Sequence, residues 1–165
     1  MRARLLDEDT LEITGIGFLE SAILWRLAAA ADPHGSAAAE ERLAGSLTAG
    51  AEPGLDEDWK EHVLPELRTM FASAVEIVRL DIVGSWLSPS TDAALRVPVH
   101  HVEPWLIALN QARLALAARH DLTEEAMTQR PPEDLQPRTL ARLFVDFFAD
   151  LQQLLLAAGE DPSSQ

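Results

Sequence analysis

"EPWLIALNQARLALAARH", Glu103 to His120, decides how this chain is read. Trp105, Leu109, Ala112 and Leu116 fall on one face at helical spacing, with Leu106 and Leu114 beside them. The spacing predicts a helix over 102–119, with Pro104 tolerated in the first turn, where its missing N–H has no partner to lose. Asn110, Gln111 and Arg113 interrupt it. Asn110 and Arg113 are three apart, hence neighbours at the edge of the apolar band. A guanidinium there must find an acceptor or reach out to water. Glu76 and Asp81 interrupt a second long apolar segment in the same way. The reading adopted is a structural ion pair of Arg113 with Glu76 or Asp81 across packed helices. The alternative is an Asn110–Arg113 pair lining a pocket for an anion.

Working outward, residues 2–14 alternate apolar and polar on both sides of the acidic turn "DED", which predicts a short β-hairpin. Further helices are expected at about 17–31, 37–47, 56–87, 123–129 and 137–158. Ser36 and Asp56 are candidate N-caps, and "DLTE" at 121–124 has the form of a capping box. Pro65 predicts a kink near Leu64 or a new helix start, because it lacks a donor and crowds the preceding turn. Pro137 suits the first position of the last helix. Residues 88–98 read as a connection with one helical turn, and 160–165 as a disordered tail. The fold class is mostly α: a single-domain helical bundle over 1–159 with a small N-terminal β-hairpin.

Composition narrows the function. The 165 residues are 47% hydrophobic, a globular composition able to bury a core. Acidic residues number 27 against 13 basic, a net charge of −14, which disfavours nucleic acid and anionic membrane surfaces. Cysteine is absent, which fits a reducing cytoplasm. "GFLESAILWRLAAAAD" is interrupted by Glu20 and Arg26 and follows an acidic run, so it reads as an amphipathic helix and not a signal peptide. No nucleophile elbow, phosphate loop, dinucleotide fingerprint or H-E-x-x-H motif occurs. The weak metal candidate is "HHVE", with His100, His101 and Glu103, and His62 as a partner only if the fold brings it close. The carboxylates of "DEDTLE", "DEDWKE" and "TEEAM" sit at turns and helix starts, where capping and solvation account for them.

The hairpin, "FLESAILWRL", "DWKEHVLPELR" and "WLIALNQARLALAARHDLTEE" together resemble a bacterial family of unknown function, domain of unknown function 2017, over roughly residues 2–155. Trp105, Leu109, Asn110, Arg113, Leu114 and Leu116 carry the resemblance, while "HHVEP" departs from the acidic run expected before them. The resemblance implies no activity. Genes of that family lie near one for a Clp-protease adaptor in actinobacteria, which implies a link to proteolysis and protein quality control.

The expected function is therefore a cytoplasmic, non-enzymatic protein without cofactors that acts through protein–protein contacts as a homodimer. The last helix supplies the expected interface: Leu143, Phe144, Phe147, Phe148, Leu151 and Leu155 form an apolar band wider than one neighbouring helix would cover, the competing reading being that this helix is central in the core of one chain. Two other readings stand beside it, an anion-binding protein at Asn110 and Arg113, and a metal-dependent enzyme at His100, His101 and Glu103.

Overall fold

The structure, a computed structural model, describes residues 1–45, 54–87, 94–128 and 136–159, so the expected tail at 160–165 lies outside the described residues. Strand β1 (Arg2–Leu5) pairs antiparallel with β2 (Thr10–Thr14). Asp7 closes the turn, its Oδ1 accepting the Asp9 N–H at 2.9 Å. A third strand, β3 (Leu95–Pro98), pairs with the other side of β2. This corrects the reading of 88–98 as a connection with one helical turn over its end, while 88–93 lie outside the described residues. Three alternating residues before a proline are too few to declare a period of two. The strand forms because Leu95 and Val97, both fully buried, align with Ile13 and Leu11. Its outer edge is closed by Ser85, whose hydroxyl accepts the Arg96 N–H at 2.9 Å. On the opposite face of the sheet Arg4, Glu12 and Arg96 stand in register across the three strands. Glu12 is 7% exposed and accepts from Arg4 Nε at 3.0 Å and Nη2 at 2.6 Å, with Arg96 Nε 3.9 Å away. Opposite charges directly across a ladder are mutually stabilising.

The helix expected over 17–31 divides into α1 (Phe18–Leu24) and α2 (Leu27–Ala31), turning at Trp25 and Arg26 without a glycine or proline. Helix α3 (Ala37–Ala44) starts at Ser36, whose hydroxyl accepts the Ala39 N–H. Helix α4 (Leu55–Asp58) starts after Gly54, so Asp56 is not its cap. Asp56 lies in the first turn and accepts from Lys60 Nζ at 2.6 Å. A π-helical turn (Trp59–Val63) leads into α5 (Leu64–Leu87), with Pro65 second in α5. The widened turn lies where the proline ring would otherwise meet the Glu61 carbonyl.

Helix α6 (Val102–Arg119) covers the focal stretch, followed by α7 (Glu124–Thr128) and α8 (Pro137–Gly159). "DLTE" is not a capping box. Asp121 has a φ of 50° and ends α6: the Leu122 N–H reaches the Ala117 carbonyl at 2.8 Å and the Asp121 N–H the Ala118 carbonyl at 3.5 Å. Glycine usually holds that left-handed position.

Helix α6 is the centre of the molecule, packed by α2, α3, α5 and α8. Buried Ala108, Ala112 and Ala115 let these neighbours approach closely. The breadth of apolar surface on α8 has the same origin, because α8 covers both α6 and β1. Phe148, Leu151 and Leu155 are fully buried and Phe147 is 7% exposed. Of the six residues expected at a dimer interface, only Leu143 is exposed and only Phe144 is half-buried. That expectation is corrected: the band on α8 is core. Among the described residues, no helix is long and apolar enough to cross a membrane.

Phe148→Ala should lower unfolding free energy by about 3–5 kcal/mol in chemical denaturation, the range for emptying a buried phenylalanine site. Phe148→Glu should prevent folding of the single chain. Asp121→Gly should raise stability by about 0.5–1 kcal/mol, because glycine relieves the left-handed backbone but loosens the unfolded chain. A lower denaturation midpoint for Asp121→Gly would contradict this account of the end of α6.

Candidate functional site

The polar side chains of α6 and its entry turn reach different neighbours. At its start, Trp105 Nε1 donates to Asp81 Oδ2 at 2.9 Å, and His101 Nδ1 lies 3.0 Å from both Asp81 oxygens. Trp105 is fully buried and the Asp81 side chain is 9% exposed, so this carboxylate ties the entry of α6 to α5. The exposed His100 meets His101 ring edge to ring, with centroids 4.3 Å apart, and Glu103 is exposed. Ser85, one turn beyond Asp81, exchanges hydrogen bonds with the Arg96 backbone. Among the described residues, no three histidines or carboxylates stand together to hold a metal ion, and His62 lies exposed on the π-helical turn.

Arg113 pairs with neither Glu76 nor Asp81, which corrects the expected ion pair. It points towards α8, where Nη1 donates to Gln152 Oε1 at 2.5 Å. Gln152 in turn donates from Nε2 to the Leu106 carbonyl at 3.1 Å, bridging back to α6. Asp81 is taken by Trp105 and His101. Glu76 receives Arg79 through two bonds of 2.7 Å on the surface, and that guanidinium holds its carboxyl below the ordinary value. Asn110 is exposed, so the two residues do not converge on an anion site.

Gln111 is the polar group that faces a cavity. Helices α2, α3, α5 and α6 enclose a half-open cleft of about 590 Å³. Its walls are apolar and largely small, with Ala28, Leu43, Ala44, Phe71, Ala72 and Val75. That volume lies in the range of small-molecule pockets. Gln111 also lines it, is 6% exposed, and donates from Nε2 to the Ala31 carbonyl at 3.0 Å. Its Oε1 is closed to solvent and has no hydrogen-bond partner among the described residues. At the rim stand Asp32, His34, Glu40, Arg68 and Glu76. Asp32 accepts the His34 N–H at 3.0 Å and lies 2.6 Å from the His34 ring, and these bonds hold its carboxyl below the ordinary value.

The sequence signal for this site was an amide set among apolar positions of one helix. It identifies a group in need of partners. It does not show that a wall built from α2, α3 and α5 stands in front of it, because those segments are distant in the chain.

A family model described as domain of unknown function (DUF2017) matches residues 3–159. No curated protein and no solved structure matches.

Asp81→Ala should cost about 1–3 kcal/mol by leaving the Trp105 N–H buried and unpaired, and Asp81→Asn less, because it keeps an acceptor. In double-mutant cycles Arg113 should couple with Gln152 by about 0.5–1.5 kcal/mol and add independently with Glu76. Coupling of Arg113 with Glu76 and none with Gln152 would restore the ion pair.

Proposed function

The chain belongs to the DUF2017 family, and we propose that it works in the cytoplasm as a non-catalytic protein, through an apolar contact face that joins two copies of itself. The observation that carries this reading is the exposed apolar face of α1. Phe18 is 92% exposed, Leu19 53% and Trp25 55%. Phe18, Ala22 and Trp25 recur at i, i+4 and i+7, so they share one side of the chain, and Trp25 stacks on Trp86 of α5 with ring centroids 5.4 Å apart. A monomer gains nothing by presenting a phenylalanine and a tryptophan to water on one side, and contiguous apolar surface of this kind marks interaction sites.

A second copy is the partner that fits best. The face is short and apolar, and two-fold pairing of like surfaces is the commonest closed arrangement.

The charge sets the salt response. Two copies each carrying −14 repel one another, so screening should strengthen their association. Light scattering at micromolar concentration should give a dimer mass whose fraction rises from low to high salt. Phe18→Glu should return the monomer with an unchanged circular dichroism spectrum. A monomer mass that persists on concentration at high salt would remove the homodimer. Association that weakens with added salt would show an ionic contact between the copies and overturn the apolar α1 face as their interface.

A further inference from the structure

A second surface, independent of the α1 face, runs along the arm that leads into α5. We infer that residues 55–71, formed by α4, the π-helical turn and the first two turns of α5, dock a cationic amphipathic helix of another protein. No residue over 54–73 is buried, and the first buried position of α5 is Ala74. Among the described residues, α4 and the π-helical turn make their substantial contacts only with each other and with α5. The arm joins the body at Phe71, which packs on the cluster of Ala39, Leu43 and Ala115. Helices in proteins are held mainly by packing an apolar face, and this arm has such a face with little packed on it.

The π-helical turn sets that face. In an unbroken α-helix, a stripe that repeats every fourth residue from Leu55 and Trp59 wanders round the axis by about 40° at each step. Here the Leu64 N–H bonds the Trp59 carbonyl, five residues back, so the turn takes up one extra residue. Leu64, Leu67 and Phe71 thereby return to the side of Leu55 and Trp59, the side that continues into buried Ala74 and Val78. Trp59, Leu64 and Leu67 are half-buried, while Leu55 and Val63 are 42% exposed and Met70 44%.

Charge fixes the class of occupant. Asp58 lies three residues after Leu55, and Glu66 lies three after Val63 and four before Met70, so both border the apolar edge. Asp58, Glu61 and Glu66 are exposed and make no ion pair among the described residues, while Lys60 is held by Asp56. A helix laid on the stripe sets its own apolar residues, at i, i+3, i+4 and i+7, against Val63, Leu67 and Met70, and its lysines or arginines against these carboxylates. A second copy brings the same acidic edge and is repelled, and so is an anionic membrane surface.

The probe is acetyl-KLAKLAKKLAKLAK-amide, a lysine helix with one leucine face, labelled with fluorescein and read by anisotropy against the full chain. It should bind saturably at one site, and acetyl-ELAELAEELAELAE-amide should not. Val63→Glu with Met70→Glu should weaken binding about tenfold with an unchanged circular dichroism spectrum, through loss of two apolar contacts. That double variant is more acidic than the wild type, so attraction by charge alone would strengthen. Binding kept or strengthened there would overturn the site. Met70→Gln, a helix-compatible change at one exposed position, should weaken binding about threefold and decides the matter if the double variant does not fold. Glu66→Lys should also weaken binding about threefold and flatten its salt dependence. Phe18→Glu should leave it unchanged. No saturable binding, equal binding of the glutamate peptide, or equal loss in Phe18→Glu would overturn the site. A dimer undone by the double variant and kept in Phe18→Glu would make the arm an interface between copies. Uptake of the chain by phosphatidylcholine vesicles, lost in the double variant, would make it a membrane contact. Either outcome overturns the cationic protein partner.

Discussion

Helix α6 is enclosed on four sides, and a helix so placed must satisfy its polar groups from other parts of the chain. Several of them reach neighbouring helices, while Gln111 Oε1 and Arg113 Nε stay buried without a partner among the described residues. Trp105 bonds Asp81 on α5, Gln111 bonds the Ala31 carbonyl at the end of α2, and Arg113 bonds Gln152 on α8. Arg119 reaches the Asp32 carbonyl just beyond α2. The alanines of α6 set how close the neighbours come. The polar bonds set how each neighbour is rotated and slid along the axis, because an unpaired buried group loses more than a bond gains. Only α3 lacks such a bond among the described residues, and it packs through Ala39 and Leu43 against Ala115.

The α1 face and the cleft meet at one short helix. Ala28 of α2 lines the cleft on one side and, on the other, a shallow depression shared by Trp25, Val78 and Ile82. Five residues of α2 therefore separate the two surfaces, with Ala31 holding the Gln111 amide at their end.

Much of this arrangement was legible in the residues. The period of 3.6 found α6 and α8, the period of two found the hairpin, and Ser36 marked the start of α3. What failed depended on contacts between distant segments. Strand β3 has too short a pattern to be seen without β2 beside it. The broad apolar band of α8 is ambiguous in a sequence, since a helix covering two elements of its own chain and a helix pairing with another molecule look alike. Asp121 misled because an acidic residue three before a glutamate has the form of a cap, and only the backbone shows that it ends the previous helix. Arg113 was recognised as a group needing an acceptor. Which of the surrounding helices supplied that acceptor depended on the rotation of α6, which periodicity does not fix.

The sheet has a consequence for synthesis on the ribosome. Its central strand is made early, but the strand that completes it and a helix that packs on it come much later: Leu95 pairs with Ile13, and α8, which packs against β1, begins at Pro137. A vectorially emerging chain therefore holds Leu11 and Ile13 on a two-stranded ribbon before Leu95 and Val97 arrive beside them. Contacts so distant in sequence close slowly, and exposed strand edges on partly made chains invite wrong pairing. The buried Glu12 on the outer face of that ribbon, paired from the start with Arg4, keeps a charge on the waiting strand and opposes its stacking on another nascent chain.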